Sequence, residues 1–268
     1  MRTRRILWCL VLLSLSVGSG PYAQIQHIEN RRIYDDSLGW AGRADVNFSA
    51  IQNRNLLVNL GVRPFAQFTD SMNYFLALGD YNYSVGEIVY AHSLLFHVRY
   101  NRYFTHRNRW VSWEMYAQTQ FNPLLSQRVR ALAGTGPRFR LLDKKNYKIF
   151  IGPSYMFEYE EIIADSSVQR NHRGSLYLSW FFNPVKNFSF SGSTYVQPLL
   201  TDFADYRVSG QYTLRFKIVK RTDFKFEFGF LYDSRPPQEV RNFIFNAQAG
   251  IGIDFTRAGL KQKKPRRK

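Results

Sequence analysis

Trp40-Ala41-Gly42-Arg43-Ala44-Asp45-Val46-Asn47-Phe48-Ser49-Ala50 alternates at every position. Trp40, Gly42, Ala44, Val46, Phe48 and Ala50 share one parity, while Ala41, Arg43, Asp45, Asn47 and Ser49 share the other. Successive side chains of a β-strand point to opposite faces, so this stretch is a strand with one apolar and one polar side. The same alternation recurs almost to the end of the 268-residue chain, in runs centred near residues 45, 62, 78, 95, 115, 134, 154, 177, 192, 212, 228 and 248. Twelve strands of this kind leave twelve apolar faces to be covered, either by a second sheet or by lipid.

Three features favour lipid. Each run is roughly 9 to 13 residues, enough for a tilted strand to cross a bilayer, whereas strands of soluble sandwiches are nearer five or six. The connections alternate in length. Thr105–Asn108, Asp143–Asn146, Asn183–Lys186 and Val219–Thr222 read as tight turns; Asn122–Ser126, Glu161–Arg170, Leu199–Asp205 and Ser234–Gln238 read as longer loops. An outer-membrane barrel has short periplasmic turns and longer outer loops, and an even strand count puts both termini in the periplasm. Finally, the apolar parity excludes charge. Phe224, Phe226, Phe228, Phe230 and Tyr232 oppose Lys225, Glu227 and Asp233; Val111, Trp113, Met115 and Ala117 oppose Ser112, Glu114 and Gln118. Asp80 is the one charge assigned to an apolar face. The fold expected is therefore all-β: a single antiparallel up-and-down transmembrane barrel spanning residues 40–255.

The ends read differently. Residues 1–23 have the form of a secretory signal, with Arg2, Arg4 and Arg5 ahead of an apolar Ile6–Val17 core and a small-residue exit to Ala23. The chain's one cysteine, Cys9, lies within that core, so the mature barrel has no thiol chemistry. Residues 24–39 form a polar periplasmic lead-in, and residues 256–268 a basic disordered tail. Lys261, Lys263, Lys264, Arg266, Arg267 and Lys268, with the three arginines of the leader, carry about half of the +17 net charge. A nucleic-acid partner is therefore not expected. Aromatics make up 17% of the chain, and Trp40, Trp110, Tyr147, Trp180, Phe182, Phe188 and Phe224 gather where strands meet the short turns, as an interfacial girdle would. Pro137 and Pro153 interrupt two strands; folding that hairpin sets them opposite each other, which predicts a paired irregularity beside Gly134, Gly136 and Gly152.

Asp80-Tyr81-Asn82-Tyr83-Ser84, Arg99-Tyr100-Asn101-Arg102, Trp113-Glu114 with Gln118, Gln120 and Asn122, and Arg130-Ala131-Leu132-Ala133-Gly134-Thr135-Gly136 together resemble the salt-induced outer-membrane protein family, a group defined by a domain of unknown function. The resemblance is dense over about Tyr74–Glu160. It implies an outer-membrane barrel and no established activity.

The inward parity carries the chemistry. Arg43, Arg63, Arg99, Glu114, Arg128, Arg130, Arg138, Arg140, Glu158 and Glu160 are expected to form a lumenal charge network, which either braces the barrel or lines a narrow, weakly anion-favouring pore. No catalytic group, metal or cofactor is expected. His27, His92, His97, His106 and His172 all lack a serine two residues on, the spacing that puts a His/Ser pair on one strand face, and His172 and Ser175 face opposite ways. The alternatives are a lipid-modifying barrel enzyme and a soluble periplasmic ligand-binding β-domain. The partners expected are outer-membrane lipid and lipopolysaccharide, together with periplasmic chaperones and the barrel-insertion machinery during biogenesis.

Overall fold

The computed structural model describes residues 38–52, 56–86, 90–105, 109–144, 146–238 and 240–254. The leader, most of the lead-in, Phe255 and the basic tail lie outside the described residues.

Twelve strands follow one another in chain order: β1 (Gly39–Gln52), β2 (Leu56–Thr69), β3 (Asn73–Gly86), β4 (Tyr90–Tyr103), β5 (Val111–Asn122), β6 (Gln127–Lys144), β7 (Tyr147–Ile162), β8 (Val168–Val185), β9 (Phe188–Leu199), β10 (Asp202–Val219), β11 (Thr222–Asp233) and β12 (Phe243–Asp254). Each pairs antiparallel with its neighbours, and β12 returns to β1 to close the barrel. Every centre read from the alternation falls inside one strand.

Burial confirms the alternation and inverts the polarity of a soluble protein. On β1, Trp40 and Phe48 are 68% and 66% exposed, while Asp45 is 3% exposed. Outside the barrel lie Phe75, Phe96, Met115, Tyr155, Leu176, Phe226, Phe245 and Ile251. Inside, buried polar and charged side chains outnumber buried apolar ones among the described residues. Water would strip such a molecule of its hydrophobic driving force, whereas hydrocarbon matches its surface. No helix among the described residues could cross a membrane; the strands are the elements that can.

Three expectations change. Asp80 belongs to the inner face: it is buried in mid-strand beside Arg63. Over residues 74–79 both faces of β3 are apolar, so parity alone could not orient it. Phe75 and Tyr81 face out, while Tyr74, Leu76 and Leu78 turn inward and join Phe65 and Leu95 in an apolar plug. Secondly, the strands are longer than expected, at 12 to 18 residues, and they absorb the loops. Glu161–Arg170 contracts to 163–167, and Leu199–Asp205 contracts to Leu200–Thr201, because 203–205 form an irregularity inside β10. Loop length therefore differs little between the two rims. Thirdly, the paired irregularity expected at the prolines is present, but as a lapse in pairing and not as a bulge. The β6–β7 ladder lapses between Thr135↔Tyr155 and Phe139↔Ile151 and resumes in the same register. On their other sides, Pro137 faces Trp113 and Pro153 faces Leu176 without a shift.

The two backbones press together at that lapse. A Cβ on Gly136 would stand 2.2 Å from the Pro153 carbonyl oxygen. Gly136→Ala should therefore cost at least the ~1–3 kcal/mol of an overpacked site in urea unfolding from vesicles. Gly174→Ala, whose nearest neighbour would be 3.5 Å away, should be near neutral. Equal midpoints for the two variants would contradict this geometry.

Aromatic rings circle the rim that carries both strand termini: Trp40 against Phe68, Trp110 against Phe139, Tyr147 against Phe182, and Phe188 against Phe216. Most connections at that rim are two or three residues long, but the one expected to be tight at Thr105–Asn108 widens to 104–110 between β4 and β5. In the 70–72 turn, the Asn73 side chain and the Met72 peptide N–H donate to Asp70, holding its carboxyl below the usual carboxylate range.

Candidate functional site

The lumen holds three ion-pair clusters, each centred on a buried carboxylate. Glu158 on β7 is fully buried and takes three guanidinium groups: Arg130 at 2.5 Å, Arg173 at 2.8 Å and Arg207 at 2.8 Å. Arg207 divides itself further between Glu160 at 3.0 Å and Asp233 at 2.7 Å, and Arg173 reaches Asp205 at 2.9 Å. Gln127 donates to Glu160.

Glu114 on β5 is the second centre. Arg99 donates to its Oε1 at 3.0 Å and Asn101 at 2.9 Å, with Arg138 at 3.4 Å; the Tyr177 hydroxyl donates to Oε2 at 2.6 Å. The Arg138 guanidinium also lies 4.0 Å from the centre of the Phe150 ring. The third centre is Asp45 on β1, which faces Arg43 at 2.7 Å, Lys225 at 2.9 Å and Arg215 at 3.6 Å. Arg43 continues to Asp223 and Lys225 to Glu227, while Arg63 bridges Asp80 at 2.9 Å, Glu227, and Gln248 at 2.7 Å.

Several of these bonds are chords across the barrel. Arg207 joins β10 to β7, Tyr177 joins β8 to β5, and Arg63 joins β2 to β11. In a low-dielectric interior such pairs repay desolvation only when every charge is matched and hydrogen-bonded. The matching is close here because carboxylates that parity assigned elsewhere or overlooked (Asp80, Asp205 and Asp223) join the network.

Of the ten residues expected in the lumen, Arg43, Arg63, Arg99, Glu114, Arg130, Arg138, Glu158 and Glu160 enter these clusters. Arg140 pairs instead with Asp143 near the terminal rim, where Lys148 also approaches at 3.6 Å. Arg128 is exposed. The β6–β7 register shifts between Gln127 and Val129, and this flips the parity at that point. Folding the 70–72 hairpin on paper would have set Arg63 opposite Asp80; the chords had no signal in sequence, since they depend on how the closed barrel staggers its strands.

Every strand contributes an inward side chain that is nearly sealed from water: Asp45, Arg63, Leu78, His97, Glu114, Arg138, Glu158, Arg173, Ser193, Thr213, Lys225 and Asn246. Away from the terminal rim lies a cavity of about 110 Å³, lined among others by Gln118, Gln120, Tyr195, Gln197, Arg207 and Arg241. His172 faces outward, bonded to Tyr155, while Ser175 is buried inside; the two stand on opposite faces of β8. Glu158 and Glu160, the paired carboxylates on one face, are both held by Arg207.

A closed up-and-down barrel with an apolar belt, an aromatic rim and a charged interior defines the class: an outer-membrane-type β-barrel. The chain belongs to the family described as "Protein of unknown function, DUF481", whose model matches residues 73–255. No curated protein matches it. Among solved structures it resembles the NanC porin, at 11% identity and a TM-score of 0.50, covering 80% of this chain and 98% of that one. An outer-membrane channel of Pseudomonas putida F1 matches at 8% identity and 0.48, covering 90% and 100%. The KdgM porin in complex with disordered oligogalacturonate matches at 10% and 0.46, covering 81% and 99%. At such identities the likeness speaks for the fold alone.

Proposed function

We propose that this protein is an integral barrel of the outer membrane, exported by its first 23 residues, with both termini in the periplasm, and with a lumen shut by ion pairs: a structural barrel rather than an open pore. Outer-membrane lipid and lipopolysaccharide bathe its apolar belt. The observation that carries this reading is the sealing of an inward side chain on every strand. A side chain lining a water-filled channel would keep exposed surface, and the chords from β10 to β7 and from β2 to β11 cross the space a solute would need.

The purified protein in a planar bilayer should be electrically silent. Arg207→Ala removes the guanidinium that ties Glu158, Glu160 and Asp233 together and should open small, cation-selective steps. The narrow anion-favouring pore is the second reading, and the arginines lining the 110 Å³ cavity (Arg99, Arg130, Arg207) favour it. Stepwise wild-type conductance with an anion-biased reversal potential would establish that reading and overturn ours.

A further inference from the structure

The barrel closes on a weak joint. Among the described residues, β1 and β12 pair from Arg43↔Asp254 to Val46↔Ile251, four rungs. Each of the other eleven junctions carries nine rungs or more among the described residues. Beyond Val46, β1 continues as a strand to Gln52, bonded to β2 on its far side. Likewise β12 is paired to β11 from Phe243 onward. Between Asn47–Gln52 and the facing part of β12 no rung joins the two edges. Strand-edge peptide groups at membrane depth must be satisfied by something.

Side chains fasten the half of this joint nearest the termini. Arg43–Asp223 and Asp45–Lys225 tie β1 to β11, and Arg63 passes behind β1 to Glu227, with a further bond to Gln248, which lies just past the last rung. The other half differs inside and out. Outside, its lips are aromatic and open to the surroundings: Phe48 on β1, Phe243 and Phe245 on β12. Inside, the groups are amides: Asn47, Asn246 and Gln248. Asn47 is 7% exposed, and neither Oδ1 nor Nδ2 has a hydrogen-bond partner. It rests on Gly250, where an added Cβ would stand 2.0 Å from Oδ1. The nearby cations, Arg63 and Lys225, already hold carboxylates, so the vacant bonding capacity is uncharged.

We propose that the half of the β1–β12 joint beyond Val46 is a lateral portal. It admits the uncharged, hydrogen-bonding head of a membrane amphiphile to Asn47 and the strand edges, while the acyl chain lies outside across Phe48 and Phe245. The chemical class is a glycerol- or amide-headed lipid. The inference rests on the membrane reading above.

Two cysteine pairs test the joint in the full chain, in a Cys9→Ser background and in vesicles. Ala44→Cys/Ile253→Cys spans an existing rung and should oxidise readily. Phe48→Cys/Ala249→Cys spans the rung that a continued ladder would make and should stay reduced. Adding monoolein to the vesicles should slow amide exchange at residues 247–250, and Asn47→Leu should abolish the slowing. Equal oxidation of both pairs, or exchange indifferent to monoolein, overturns the portal. Disulfide-linked dimers from Phe48→Cys alone would give the joint to a second copy and overturn it too. If neither pair oxidises and the protein leaves the vesicles without detergent, the membrane reading itself has failed.

Discussion

Glu158→Gln should destabilise the barrel by about 3–5 kcal/mol, the loss expected when one member of a buried ion-pair network is removed and its partners stay charged. The substitution keeps the volume and shape of the side chain, so it creates no cavity. It leaves Arg130, Arg173 and Arg207, now meeting an amide at 2.5–2.8 Å. Glu160, Asp205 and Asp233 still offset part of their charge, which argues for the lower end of the range. Reversible urea unfolding from vesicles measures the effect. Glu161→Gln is the control: its carboxylate accepts from the Tyr159 hydroxyl near the end of β7, off the inner face, and its loss should stay within about 0.5 kcal/mol. Equal midpoints for the two variants would mean that the lumen is wet enough to screen its charges.

Arg63→Met should cost a similar ~3–5 kcal/mol and act at a different place. Arg63 is the side chain that reaches from β2 to β11 and β12 behind the four-rung joint. Without it, Asp80 and Glu227 lose their shared guanidinium and the barrel loses a strap across its closure. Hydrogen exchange should therefore rise first at residues 43–46 and 251–254, while the β6–β8 amides remain protected. Adding Asp80→Asn removes one of the stranded carboxylates and should recover part of the loss. A uniform rise in exchange around the barrel, or no recovery in the double variant, would show that Arg63 does not fasten this joint.

Much of the architecture was legible from parity because a barrel wall is a repeated two-faced strand. β1, β5, β11 and β12 each put charge on one face only, and their orientation followed. β3 failed for a physical reason: residues 74–79 are apolar on both faces, since part of the lumen is an apolar plug around Phe65 and Leu76. Arg128 failed because a register shift costs a single residue of pairing and leaves no mark in composition. The membership of the charge network was visible at most positions, but its connectivity was not. Arg207 and Glu158 lie 49 residues apart, and only the stagger of the closed sheet brings them within bonding distance. The roll of carboxylates was incomplete for the same reason: Asp80, Asp205 and Asp223 also pair with lumenal arginines.

The central claim is that hydrocarbon wets the outer face, and tryptophan fluorescence tests it most directly. Trp40, Trp110 and Trp113 are exposed on that face, and Trp180, on the outer parity of β8, stacks against Tyr212. In vesicles of lipids brominated along the acyl chain, their emission should be strongly quenched, while aqueous iodide has little effect. Emission that iodide quenches and brominated chains leave untouched would place these rings in water and contradict the account.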